Sequence, residues 1–522
     1  VQYAAFLAMS DRHTPEILEL PSAFLALLLQ HTASGPGGLA SAAALSQTCK
    51  YLHSLSEGPA VAYSNIHVPG TIRSPAHQVW QWLAKRSARI AGLRLQLRVA
   101  VWDDADEDAK NDELLDWTQH LQTLSGIPGV QLRVEWGGSI VSQDLFFLTQ
   151  WLMQHGEIIS HLSMQVQISE DRLNLRDFVK AAAPCKDLEL SILHEHNESL
   201  DLAHLAPLAG SLGCLTCHCN RPGDLGIVRG LHVLSSLQQL TYLCLDNEDL
   251  GFEEPWEHLA KLTSLNRLCI EVRASGDPSP LSALTRLSFL HLCSLNDAAP
   301  FTFSSLQPLS TLQQLEVLEL WSHSSTATSL QGLAGLTNLE KLELGLSVSG
   351  ALRSLEGIGS EVADLSIYGA SDLVSLAGIE VCSSLRRLFT SNCGLSSLQP
   401  LRGLSSLTEL TMSHCGLTSL QGLCSRSLQI LELRHCSSLT SLSGIEQLKA
   451  LNRVEVNDCG VTSLQPLSQL GGGIVYLIVQ RCKKVQEVVL ELPHIQTTCY
   501  VGVYGCSVRK LVLAGGVIKA VQ

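Results

Sequence analysis

The sequence predicts an α/β solenoid: a stack of short units whose strands align into one parallel sheet on a concave face. Helices, giving way to 3₁₀ turns, are expected on the convex face, with a helical cap at the N-terminus. Three observations lead there. The chain has 522 residues, more than one hydrophobic core normally organises. A leucine pattern returns every 21 to 24 residues through the C-terminal part. Each of these returns carries a cysteine at one fixed place.

The pattern is clearest from Leu385 onward. Leu385, Leu388, Cys393, Leu395, Leu398, Leu401 and Leu404 occupy positions 1, 4, 9, 11, 14, 17 and 20 of a unit. Leu407, Leu410, Met412, Cys415, Leu417, Leu420 and Leu423 repeat it, with Met412 at position 6. Position 9 then returns as Cys436, Cys459, Cys482 and Cys506. Extended backwards, the frame places Ala370, Ser347, His323, Leu295, Arg273, Glu248 and Asn220 there, thirteen units in all.

The spacing has a physical meaning. Positions 4 and 6 share one face of a strand and point inward, while 3, 5 and 7 point out. Position 9 falls where the chain turns away, and a small side chain there can bond backbone groups that no ladder satisfies. Ser-Leu-Gln-Pro-Leu and Ser-Leu-Gln-Gly-Leu segments follow, at Leu398–Leu401, Leu464–Leu467 and Leu330–Leu333. Proline near the start of a turn, with leucines three apart, suits one turn of 3₁₀ helix. Each unit leaves apolar edges bare until a neighbour stacks on it, so the array is long.

These residues resemble the leucine-rich-repeat superfamily, in particular the short repeats of protein-phosphatase-1 regulators and internalin-like proteins. The resemblance covers roughly residues 185–515 and implies a horseshoe that binds other proteins. It names no partner, because one fold serves unrelated ligands.

Residues 66–210 read as longer, degenerate repeats. Strand-like runs at Leu93–Val101, Val130–Val134, Leu162–Val166 and Leu188–Leu190 alternate with amphipathic stretches at Glu113–Leu124, Asp144–Gln154 and Arg172–Ala183. The regular short repeats occupy 211–522. Residues 1–65 differ, with Leu20, Pro21, Leu25 and Leu28 preceding a Gly/Ser/Pro loop, then Ala43, Leu45 and Cys49. In that order they resemble an F-box, although no acidic residue follows Pro21 and Leu52 stands where an aromatic is common. The resemblance implies that Leu20, Pro21, Leu25 and Leu28 bind a ubiquitin-ligase adaptor. A helical cap over the first repeat would use the same residues.

Composition narrows the function classes. A net charge of −14 disfavours nucleic acid, which selects clustered Lys and Arg. No apolar run reaches the length of a membrane span, and Phe24–Leu29 lacks the basic flank of a signal peptide. With 17 cysteines and no secretory signal, reduced thiols in the cytoplasm or nucleus are expected. The chain opens on Val1, as a fragment or a late-starting gene model would.

Several constellations compete with plain repeat packing. Cys214-Leu-Thr-Cys217-His218 fits a haem-attachment pattern, but the frame makes Cys217 a core residue and turns Cys214 and His218 elsewhere. The position-9 cysteines read as stacked buried thiols rather than a metal or disulfide ladder. Asp103–Asp108 lacks the glycine and glutamate of a calcium loop. No catalytic motif, metal site or cofactor is expected, and the histidines His291, His414 and His435 fall on surface positions.

The expected function is protein binding, with a cullin-type ubiquitin-ligase receptor as the leading role. A phosphatase-regulator-like scaffold and an internalin-like adhesin are the alternatives. The expected partner surface is the concave face at Tyr242, Asp246, Phe289, His291, Glu319, Trp321, Tyr368 and Phe389. Its carboxylates, with Glu271 and Glu343, favour a basic protein segment, while the aromatics either meet a partner or cover one another. Past Val501 and Val503 the pattern continues through Val508, Leu511 and Leu513. Gly515–Gln522 offers no capping helix, so edge-to-edge association is expected.

Overall fold

The computed structural model describes residues 66–68, 93–99, 130–140, 142–168, 175–194, 199–219, 226–249, 255–295, 303, 305–322, 328–346, 352–469, 474–485, 488–491, 499–506, 511–514 and 518–521. Leu20, Pro21, Leu25, Leu28, the stretch Glu113–Leu124 and the run Asp103–Asp108 lie outside them. The chain divides into two compact units, Val1–Gly226 and Ile227–Gln522.

The first unit holds strands β1 (Ile66–Val68), β2 (Leu93–Val99), β3 (Val130–Ile140), β4 (Ile159–Ile168), β5 (Leu188–His194), β6 (Ser199–Asp201) and β7 (Leu212–Cys219). Pairing is parallel from β1 through β5 and again from β5 to β7, with Val134, Leu162, Leu188 and Leu212 in register. Among the described residues, two crossovers are true helices, α1 (Ser142–His155) and α2 (Leu175–Ala182). Helix α1 buries Leu145, Leu148 and Leu152, and α2 buries Phe178, Val179 and Ala182. That is the three-and-four spacing an amphipathic helix lays on a sheet. In β7 Leu215 and Cys217 are buried while Cys214 and His218 are only half-buried, so the haem-like pattern is a strand with one thiol inward.

Strand β8 (Gly226–Arg229) straddles the division. The second unit continues with β9 (Tyr242–Asp249), a single helical turn α3 (Trp256–Leu259), β10 (Arg267–Arg273), β11 (Phe289–Ser294), β12 (Val317–Ser322), β13 (Lys341–Leu346) and β14 (Asp364–Tyr368). Then come β15 (Arg387–Ser391), β16 (Glu409–Ser413), β17 (Ile430–Arg434), β18 (Arg453–Asn457) and β19 (Tyr476–Gln480). Each pairs in parallel with the next. Position 4 forms an unbroken register from Leu243 through Leu268, Leu290, Leu318 and onward to Leu477, all essentially buried. Burial alternates along most strands, as in β15 and β18, with one extra buried residue at Gly345 in β13 and at Ser413 in β16. This is the leucine-rich-repeat solenoid architecture the spacing predicts.

The outer side is less uniform than the sequence suggests. Where the segment reads Gln-Pro-Leu, a 3₁₀ turn forms, at Gln307–Thr311, Gln399–Leu401 and Gln465–Gln469. Where glycine replaces the proline, Gly332 and Gly422 turn instead at φ 108° and 97°, conformations only glycine adopts freely. Near the C-terminus the outer side becomes a two-stranded sheet, β20 (Val488–Glu491) with β22 (Leu511–Ala514). Its valines favour strand over a tight turn. Strand β21 (Cys499–Tyr504) pairs with β19 and with β23 (Ile518–Val521).

Among the residues whose burial is described, the frame fails at two that it places at position 9. Arg273 is exposed while Ala274 is buried, and Leu295 is half-exposed beside buried Ser294. In these units the strand continues past position 7 and Val272 and Ser294, at position 8, point into the core. From β14 onward position 8 turns the chain with a left-handed residue, whereas Asn247, Ser322 and Leu346 at that position stay in their strands. Gly369, Asn392, His414, His435, Asp458, Arg481 and Gly505 have φ between 51° and 74°. In this conformation the N–H of each, Gly505 apart, donates to the next unit, as from Arg481 to the Tyr504 carbonyl at 2.7 Å. A side chain there costs about 1–2 kcal/mol. Arg481→Gly is therefore expected to raise unfolding stability by up to about 1 kcal/mol, and Gly369→Val to lower it. Denaturant titration of both variants checks the sign.

Candidate functional site

Positions 3, 5 and 7 of the second unit form the open face of its sheet. All eight residues expected there lie on it, half-buried: Tyr242, Asp246, Phe289, His291, Glu319, Trp321, Tyr368 and Phe389. They do not form one site. Tyr242 and Phe289 stand at position 3 with Arg267 in register between them, its guanidinium 4.5 Å from the Phe289 ring. Trp321, Tyr368 and Phe389 gather farther along. Ring centroids of Trp321 and Tyr368 are 4.9 Å apart, as are those of Tyr368 and Phe389.

Trp321 and Tyr368 belong to strands that are not neighbours, and Gly345 on β13 stands in register between them. A Cβ on Gly345 would lie 2.1 Å from Trp321 Cε3. The indole lies flat across the bare backbone of this glycine to reach Tyr368. Leucine periodicity gave no reason to single out Gly345, although a glycine inside a strand often marks such an approach. Gly345→Ala is expected to lift the indole into water and red-shift its fluorescence. The shift should vanish in a Trp321→Phe background; a shift that persists there would arise from another tryptophan.

Beside the aromatics runs a ladder of alternating charge. His291 Nδ1 lies 2.9 Å from Glu319 and Nε2 lies 3.0 Å from Glu271. Lys341 pairs with Glu319 and, at 3.2 Å, with Glu343. Burial alone would depress the imidazole, but its two carboxylates outweigh it and push the pKa up to about 9. The His291 hydrogen bond, against burial and with help from Lys341, holds Glu319 down to about 2. His291 is thus no bystander on a surface position. The acidic row is also less bare than composition suggests, because His291 and Lys341 neutralise part of it. A second ladder joins Glu432, Arg434, Arg453 and Glu455, with Arg453 over the Tyr476 ring at 4.7 Å.

Five of the six position-9 cysteines are buried as expected, and Cys506 is half-buried. Cys393, Cys415, Cys436, Cys459 and Cys482 are at most 5% exposed. Their thiols donate to backbone carbonyls, as Cys436 does to Arg434 at 3.4 Å and to Met412 at 3.8 Å. Burial pushes Cys393 and Cys482 up to about 11.

No family model matches the sequence, and no curated protein matches it. Solved structures that resemble it include an internalin of Listeria monocytogenes, at 16% identity over 70% of this chain and 89% of that one, with a TM-score of 0.41. A leucine-rich-repeat protein of Leptospira interrogans matches at 16% identity over 69% and 93%, TM-score 0.41. The ectodomain of the Arabidopsis receptor kinase HAESA, solved with a peptide hormone, matches at 13% identity over 87% and 77%, TM-score 0.46. Among the described residues no helix is long and apolar enough to cross a membrane.

Proposed function

We propose that the open face of the second unit is a protein-binding surface centred on Trp321, Tyr368 and Phe389. The observation that carries this reading is the aromatic cluster itself: three rings, held against one another and still partly exposed, with Glu319, Glu343, Ser366 and Ser391 beside them on the face. Rings fixed before binding lose little entropy when a partner covers them. The carboxylates of Asp246, Glu271, Glu319 and Glu343 favour a basic segment alongside, with His291 and Lys341 setting its register through charge.

The finer role is a substrate receptor of a cullin-type ubiquitin ligase, with Leu20, Pro21, Leu25 and Leu28 docking the adaptor and the solenoid holding the substrate. The N-terminal motif supports it. Affinity purification of the tagged full-length chain tests both levels. Leu25→Asp with Leu28→Asp should release adaptor and cullin while the substrate stays bound, and Trp321→Ala should do the reverse. A wild-type chain that captures no adaptor would remove the ligase role and leave a scaffold.

A further inference from the structure

The first three strands of the open face carry metal-ligand chemistry in addition to the charge proposed for partner binding. Position 5 reads Cys244, Cys269, His291 on β9, β10 and β11, and position 7 reads Asp246, Glu271, Cys293 on the same strands. Each trio is in register. Parallel strands stand about 4.8 Å apart, so the sequence lays a small grid of thiol, imidazole and carboxylate donors on one surface. One ligand atom each from Cys269, Glu271 and His291 lies within 4.8 Å of the other two. The Cys244 thiol adjoins that of Cys269.

We propose that Cys269 Sγ, a Glu271 carboxylate oxygen and His291 Nε2 bind one borderline-soft divalent cation of the Zn²⁺ class, with Cys244 or water as fourth ligand.

The donor set selects the metal. A thiolate and an imidazole disfavour Mg²⁺ and Ca²⁺, which take oxygen, whereas mixed S, N and O donors suit tetrahedral Zn²⁺. Bonds of about 2.0–2.3 Å place tetrahedral donors roughly 3.3–3.8 Å apart, a modest adjustment from the spacing seen. The orienting group is also in place. Glu319 sits 2.9 Å from His291 Nδ1, so an Nδ1–H donated to it turns Nε2, 3.0 Å from Glu271, toward the other donors, and the ion takes the place of the proton that Nε2 shares with Glu271. A carboxylate behind a histidine is the usual support of a zinc ligand. Lys341 in turn fixes Glu319. The three ligands stand on the neighbouring strands β10 and β11 rather than on loops, and all three are partly open to solvent, so an ion can enter.

Cobalt(II) titration of the full-length chain, in a thiol-free reductant, tests the site. Reductant is needed because Cys244 and Cys269 are in-register neighbours within disulfide reach. One equivalent of Co²⁺ should produce a thiolate charge-transfer band and the intense visible bands of four-coordinate cobalt, and Zn²⁺ should displace both. Cys269→Ser should weaken the charge-transfer band, and Cys269→Ser with Cys244→Ser should abolish it. Glu271→Gln and His291→Gln should each weaken binding at least about tenfold, and Glu319→Gln by about 10–100-fold without changing the coordination number. Circular dichroism confirms that each variant is folded, and Cys424→Ser, at an exposed thiol remote in sequence, should bind as wild type. A weak six-coordinate spectrum, a charge-transfer band undiminished in Cys269→Ser, or one that survives loss of both Cys244 and Cys269 would overturn the assignment.

Discussion

Cys436→Asp should destabilise the second unit by about 3–5 kcal/mol, the cost of a buried charge without a partner. The Cys436 thiol is fully buried and donates to the Met412 and Arg434 carbonyls. An aspartate offers these oxygens no donor and sets a carboxylate against them, in a place water does not reach. Cys436→Asn keeps an N–H donor for the same carbonyls, so its cost should stay within about 1–2 kcal/mol, mostly from added volume. Urea titrations of the two variants separate charge from size. Because the units stack, the loss should loosen the neighbouring turns at Cys415 and Cys459 as well. Equal midpoints for Asp and Asn would show that the thiol's hydrogen bonds are not what position 9 requires.

Trp321→Ala and Phe389→Ala should each weaken partner capture by at least about 1–2 kcal/mol, the scale of an interface hot spot. Melting should change little by comparison, since both rings lie outside the leucine core. The rings share Tyr368 as a neighbour, so the double variant should lose less than the sum of the singles. If the rings serve only to cover one another, the outcome reverses: lower melting temperature and unchanged capture.

The repeat was legible because it is written in side-chain volume. Leucine at positions 1, 4, 11, 14, 17 and 20 reports burial directly, and the register from Leu243 to Leu477 follows from it. Backbone conformation was less visible. Asn392, His414, His435, Asp458 and Arg481 share a left-handed turn but no chemistry, so no residue type flagged position 8. Its absence in β10 and β11 is why Arg273 and Leu295 do not occupy the role their spacing assigns. Sequence neighbours also hid the charge ladder. His291 meets carboxylates 20 and 28 residues away, and only strand register brings them together. The aromatics were found by their face, but their separation into an arginine-capped Phe289 and a Trp321 cluster depended on Gly345 and Arg267.

On the proposed reading, a partner lies on the open face at the aromatic cluster. A photo-crosslinking residue placed at Ser366, beside Tyr368 on that face, tests it against the same residue at Val381, which is 53% exposed on an outer 3₁₀ turn. Crosslinks to the captured partner from Ser366, absent at Val381 and lost with Trp321→Ala, are the predicted result. Crosslinks from Val381 with none from Ser366 would place the partner on the outer side and contradict the account.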